Sequence, residues 1–145
     1  MLIVHDGKLF LKQDSAFYTY VYGNGASLDQ SFSTLVGAPV LVNIRRNETS
    51  CQMYLNGLLV ESKATNFTFS NQSARQMFVG GAAGTMSAGA SDCGSDHFQG
   101  AIHSIAEYSS ILSIADRQRV EGILCWQFGT QNTLPVEHPY RNSPP

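Results

Sequence analysis

Charged side chains are scarce in this sequence: Asp, Glu, Lys and Arg together make up 14% of its 145 residues. Helical proteins usually lay out their surfaces in Lys, Glu and Arg, so the shortage points away from a helical bundle. An excess of either sign is missing as well. The formal net charge of −2 gives no electrostatic basis for binding nucleic acid or an anionic membrane. No apolar run approaches the roughly 20 residues needed to cross a bilayer. The first residues, Met-Leu-Ile-Val-His-Asp-Gly, carry no basic stretch ahead of their short apolar one, so a secretory signal peptide is not expected there. Cysteine is sparse too. Cys51, Cys93 and Cys125 form no Cys-x-x-Cys pair and leave an odd one over, which excludes a disulfide framework or zinc site as the expectation. Cys51 and Cys125 fall in apolar phase, so both read as buried thiols that pack as small hydrophobes.

What is present is turn chemistry between short apolar segments. Hydrophobic residues make up 43% of a chain long enough to bury one core without disulfides or metals. Leu2 to Val4 and Lys8 to Leu11 flank a turn at His5-Asp6-Gly7. From Phe17 to Tyr22 the pattern alternates, with Phe17, Thr19 and Val21 on one side and Tyr18, Tyr20 and Tyr22 on the other. Val40, Val42 and Ile44 alternate with Leu41, Asn43 and Arg45, and Arg46-Asn47-Glu48 turns the chain into Cys51, Met53 and Leu55. Tyr54-Leu55-Asn56-Gly57-Leu58-Leu59-Val60 is the strongest local signal. Asn and Gly both tolerate the positive φ of a type I′ turn, whose twist matches that of the flanking strands. Phe67 and Phe69, then Met77 to Val79, supply further short strands. Gly80 to Asp96 is a Gly/Ala/Ser/Asp loop without the lysine of a phosphate loop. A long strand is expected over Phe98 to Tyr108.

One helix is expected, starting near Ser113. Ser113 with Asp116 three positions on reads as a capping box, and Gly129 is placed to end the helix in a left-handed cap. Val120, Ile123, Leu124 and Phe128 recur at helical spacing and are expected to face the sheet. Gly122 inside the helix costs about 1 kcal/mol relative to Ala, which points to close packing there. Four prolines after Leu134 predict an extended tail. Many short strands with one late helix predict an all-β, antiparallel two-sheet sandwich. One domain is expected over residues 1–134, with the tail at 135–145.

Several stretches together resemble the concanavalin A-like lectin superfamily in its laminin-G-like jelly-roll branch. They are Met53-Tyr54-Leu55-Asn56-Gly57-Leu58-Leu59-Val60, Met77-Phe78-Val79-Gly80-Gly81, and Phe98-Gln99-Gly100-Ala101-Ile102-His103-Ser104-Ile105-Ala106-Glu107-Tyr108 with Leu112-Ser113 after it. The last portion, Val120 to Gly129 with Leu134-Pro135, His138-Pro139-Tyr140 and Pro144-Pro145, is similar to a C-terminal signature of such domains in bacteriophage virion and marine bacterial surface proteins. The resemblance runs over roughly residues 40–145 and implies a jelly roll. Members carry several more strands before the segment that corresponds to Leu9. It therefore implies that those strands lie in a longer product or are supplied by a partner, leaving an edge open to strand addition.

The superfamily is known for glycan binding and, in some branches, glucan hydrolysis. A retaining glycosidase needs two carboxylates about 5 Å apart. No predicted strand carries an acidic-x-acidic pattern: Glu107 stands alone, and Asp92 and Asp96 are in a loop. An enzyme is not expected. His5, His97, His103 and His138 are scattered without a nucleophile partner. Tyr18, Tyr20 and Tyr22 form the candidate ligand- or partner-binding face, since tyrosine serves both sugar rings and protein interfaces. Asp92 and Asp96 are the candidate ligands for calcium, against a solvated loop; no other cofactor is expected. Three sequons, at Asn47, Asn66 and Asn71, matter only in a eukaryotic secretory pathway.

Two functional readings follow. In the first, the chain is a structural assembly module of a virion or extracellular surface, a capsid decoration or fibre protein, whose partners are other subunits in a homo-oligomer or particle. In the second, it is a carbohydrate-binding adhesion module. Neither involves nucleic acid or a membrane.

Overall fold

The computed structural model describes residues 9–14, 16–21, 30–32, 38–47, 49–64 and 101–145. They form two three-stranded antiparallel sheets and one α-helix. The first sheet contains β1 (Leu9–Asp14), β2 (Ala16–Val21) and β3 (Gln30–Phe32), in that order. Its register sets Phe10 opposite Tyr20 and Phe17 opposite Phe32. Aromatic and β-branched residues fill β2, the types that fit a pleated surface.

The second sheet is another meander, of β4 (Val42–Arg46), β5 (Ser50–Leu55) and β6 (Leu58–Ala64). Asn47 makes the first turn. Its Oδ1 accepts from the backbone N–H of Thr49 (2.9 Å) and of Ser50 (2.7 Å), a side-chain mimic of a backbone turn. The second turn is the expected one: Asn56 has φ +48° and Gly57 φ +81°. Asn56 is also tied to the chain entering β4. Its Oδ1 accepts from Leu41 N–H at 2.8 Å, and its own N–H donates to Leu41 O at 2.8 Å. The β5–β6 register shifts between Met53 and Tyr54, so that Tyr54 pairs with Leu59 while Met53 pairs with Glu61, and Val60 has no partner in β5.

β5 is the central strand of its sheet and is buried on both faces. Cys51, Met53 and Leu55 are buried in one phase and Tyr54 in the other. The sequence expected the first set but not the second.

Helix α1 (Ile114–Gln127) starts and stops where its sequence predicts, but the Asp116 carboxylate accepts from the Ser113 hydroxyl rather than from the backbone amide that a full capping box requires. Ser113 Oγ accepts from Asp116 N–H at 3.1 Å and donates to the Asp116 carboxylate at 2.6 Å. At the far end Gly129 takes φ +68°, while Thr130 N–H donates to Cys125 O and Gly129 N–H to Trp126 O, the double bond of a Schellman cap.

The buried face of α1 differs from the expected one. Arg117, Glu121, Gly122 and Cys125 are inside; Ile123 is 48% exposed, Phe128 is exposed, and Val120 and Leu124 are half-buried. The inward stripe is thus rotated by about a third of a turn from the apolar one. Polar residues occupy it because partners meet them there.

The residues after α1 also depart from the extended course. A 3-10 turn at Gln131–Thr133 leads into successive turns closed by His138 N–H to Pro135 O and Arg141 N–H to His138 O. Leu134 is fully buried and clusters with Leu41 and Cys125, with Leu124 packed against them. Burying a leucine side chain contributes roughly 1.5–3 kcal/mol. The strand expected over Phe98 to Tyr108 is described only from Ala101, and residues 101–108 form no strand pairing with the described residues.

Candidate functional site

The densest polar chemistry among the described residues joins α1, the tail and the second sheet. Arg117 and Glu121 stand four apart on α1, one turn above the other. Arg117 donates through NH1 to Glu121 Oε1 at 2.5 Å. The second carboxylate oxygen, Oε2, meets His138 Nε2 at 3.3 Å. The Glu121 and His138 side chains are 1% and 2% exposed. A buried carboxylate without partners is costly, and both oxygens of this one are engaged.

The tail fixes the imidazole from its other side. Tyr140 N–H donates to His138 Nδ1 at 3.3 Å. With Nδ1 accepting, the proton belongs on Nε2, where it is donated to Glu121; this tautomer is assigned from the hydrogen bonds. On the sheet side, the Arg117 guanidinium carbon lies 4.0 Å from the centre of the Tyr54 ring, a cation–π contact sheltered from water. Tyr54 OH donates to Gln52 Oε1 at 3.1 Å, and Arg45 NH1 donates to the same oxygen at 3.3 Å. A continuous polar string therefore runs from His138 in the tail, through Glu121 and Arg117 on α1, to Tyr54, Gln52 and Arg45 in the sheet.

Close backbone approaches reinforce it. Gly57 at the hairpin tip is packed by His138, Pro135 and Leu134, with a β-carbon there lying 3.2–3.4 Å from each. Trp126 Nε1–H donates to Tyr140 O at 2.8 Å, and Arg141 donates to Leu134 O. Next to this network, burial pushes the Cys125 thiol above its ordinary value. The interactions of Arg117, Glu121 and His138 point at one another, so the arrangement serves as an interlock of three segments.

The sequence-derived candidates stand elsewhere. Tyr18 and Tyr20 occupy β2, Tyr18 opposite Lys12 and Ser31 and Tyr20 opposite Phe10. Tyr22, and the calcium candidates Asp92 and Asp96, lie outside the described residues, as does Cys93. Among the described residues no group of three or more His, Cys, Asp or Glu is placed to hold a metal ion, and no helix is long and apolar enough to cross a membrane. Cys51 and Cys125 are buried and stand outside any disulfide, as expected.

Sequence reasoning missed Arg117, Glu121 and His138. A signal existed. Gly122 and Cys125 were both read as closely packed, and they share a helix face with Arg117 and Glu121, which places that face inward.

No protein-family model and no curated protein matches the sequence. A solved structure that it resembles is the crystal structure of an S-layer domain-containing protein (residues 221–444) from Clostridium thermocellum ATCC 27405. The two superpose with a TM-score of 0.50 at 14% sequence identity, over 81% of this chain. This chain spans 58% of the length of that structure. At such identity the likeness concerns the fold alone.

Proposed function

We propose that this protein is a non-enzymatic structural module that assembles with other protein subunits, built on a two-sheet jelly roll of the concanavalin A-like, laminin-G-like kind. The observation that carries this reading is the set of exposed apolar residues adjoining, in sequence, the contact of the hairpin tip with the tail. Leu58 and Leu59 follow Gly57 and are 58% and 45% exposed; Val136 follows Pro135 and is 76% exposed. The two segments touch, with Pro135 Cδ 3.3 Å from a Gly57 β-carbon position. Large apolar side chains left exposed beside such a contact are available to a second subunit. A subunit seated there gains about 25 cal/mol for each Å² removed from water.

The reading places the protein on a virion, as a capsid decoration or fibre component, or on an extracellular surface. The solved structure it resembles is an S-layer domain-containing protein, a surface kind of protein, which supports such a location. Carbohydrate binding is the second reading, favoured by Tyr18 and Tyr20 two residues apart in a strand paired on both sides.

Sedimentation velocity of the full chain at micromolar concentration tests the assembly reading. The expected species is larger than one chain, and a Leu58→Ser, Leu59→Ser double variant with unchanged circular dichroism shifts toward monomer. A monomer that is retained on immobilised glycans overturns the first reading in favour of the second.

A further inference from the structure

The residues after Gly129 are held to the rest of the protein in an unusual way. Their backbone hydrogen bonds beyond the helix cap are local: Thr133 N–H to Thr130 O, Leu134 N–H to Gln131 O, His138 N–H to Pro135 O and Arg141 N–H to His138 O. Among the described residues they share no ladder with a strand. Attachment among the described residues rests instead on side-chain anchors: Leu134 beside Leu41 and Cys125, His138 on Glu121, Leu134, Pro135 and His138 around Gly57, Tyr140 O on the Trp126 indole, and the packing of Tyr140 and Pro145 on Gly122. Between the anchors the chain is exposed at Asn132, Thr133, Val136, Glu137, Pro139 and beyond Arg141. Segments joined by few buried contacts and no shared ladder open at a lower free energy than the elements beneath them.

The pivot is equally defined. Gly129 is left-handed at φ +68°, and a β-carbon there would meet nothing within 4 Å. Rotation at this residue carries Leu134 away from Cys125, and with it Thr130, whose N–H donates to Cys125 O. Cys51, by contrast, is buried in β5, the central strand of its sheet.

We infer that residues 130–145 form a strap that unlatches from the helix and hairpin as one unit, pivoting at Gly129, and so gates access to the Cys125 thiol while Cys51 stays closed. The gating stands apart from the assembly reading, because it concerns how the chain closes on itself.

Thiol labelling of the full native chain tests it, using iodoacetamide across a range of sub-denaturing urea, with Cys51 and Cys125 quantified separately by peptide mass spectrometry. The expected result is faster labelling at Cys125 than at Cys51, with a weaker urea dependence, since opening the strap exposes less surface than unfolding the whole chain. His138→Ala removes one of the two partners of a buried carboxylate and is expected to raise the Cys125 rate about tenfold or more, leaving Cys51 unchanged. Equal rates with equal urea dependence overturn the inference, because both thiols then wait on global unfolding. Faster labelling of Cys51 overturns it as well. The wild-type comparison decides the matter even where the variant fails to fold.

Discussion

Tyr140 lies so close to Gly122 that a β-carbon built on the glycine sits 2.5 Å from Tyr140 Cβ and 2.8 Å from its Cγ. On intrinsic propensity Gly122→Ala should stabilise α1 by about 1 kcal/mol. The clash opposes this gain, and it falls on atoms next to the Tyr140 backbone, which no side-chain rotation removes. Overpacking of this kind costs roughly 1–3 kcal/mol. Gly122→Ala should therefore lower the thermal midpoint, and adding Tyr140→Gly should cost less than the two separate losses together. A raised midpoint in the single variant would show that the tail does not press on the helix.

Gly57→Val should destabilise the hairpin twice over. Its φ of +81° is strained for any β-branched residue, at on the order of 1–3 kcal/mol. The added side chain must also displace His138, Pro135 and Leu134, all within 3.4 Å. An unchanged melting temperature would count against the hairpin register.

The Arg117–Glu121 pair should behave as a buried pair does, costly to break and cheap to replace. Glu121→Leu leaves the Arg117 guanidinium enclosed without its carboxylate and should cost about 3–5 kcal/mol in urea unfolding. The double variant Arg117→Met, Glu121→Leu should recover most of that loss. Additive losses across this cycle would mean that the two side chains do not interact energetically.

Cys125 gives a pH dependence of fixed sign. Desolvation by burial raises its folded-state value above the ordinary 9.0. Its contribution to stability is whole below the unfolded value. Above it the unfolded chain loses the thiol proton before the folded one does, so stability falls as pH rises towards the folded value. Urea midpoints between pH 8 and 10 should fall more steeply for the wild type than for Cys125→Ala, both chains carrying the same Lys and Tyr titrations. Parallel slopes would remove the burial argument.

Assays on β-glucans, alginates and other polysaccharides at high protein load should release no sugar. Reproducible turnover abolished by substitution of a single acidic residue would sink the non-enzymatic proposal.

What the sequence made legible was what a few neighbouring residues decide among themselves. Asn56-Gly57 specifies its turn because only residues at ease with positive φ fit it, and Ser113, Asp116 and Gly129 delimit α1 through bonds spanning three to five residues. The face of α1 was hidden because its partner is remote. Nothing near Arg117 and Glu121 in the chain marks them as buried; His138, seventeen residues beyond Glu121, is turned back onto them by the bends after Pro135. Prolines predict a break in helix and sheet and hence an extended course; the turns instead arise from the anchors that Leu134 and His138 find. Tyr18 and Tyr20 were assigned correctly to a strand, because alternation is a local property as well.

The unpartnered Val60 makes the β5–β6 hairpin tolerant of a change in chain length at one position. Deleting it would bring Leu59 and Glu61 together as neighbours, still opposite Tyr54 and Met53, and every other pairing from Ser50–Ala64 to Leu55–Leu58 would be kept. Elsewhere in the strand a one-residue deletion reverses the inward and outward phase of all that follows. Among natural or laboratory variants, single-residue gaps in this hairpin should therefore collect at position 60, with the local twist relaxed and the pairing unaltered.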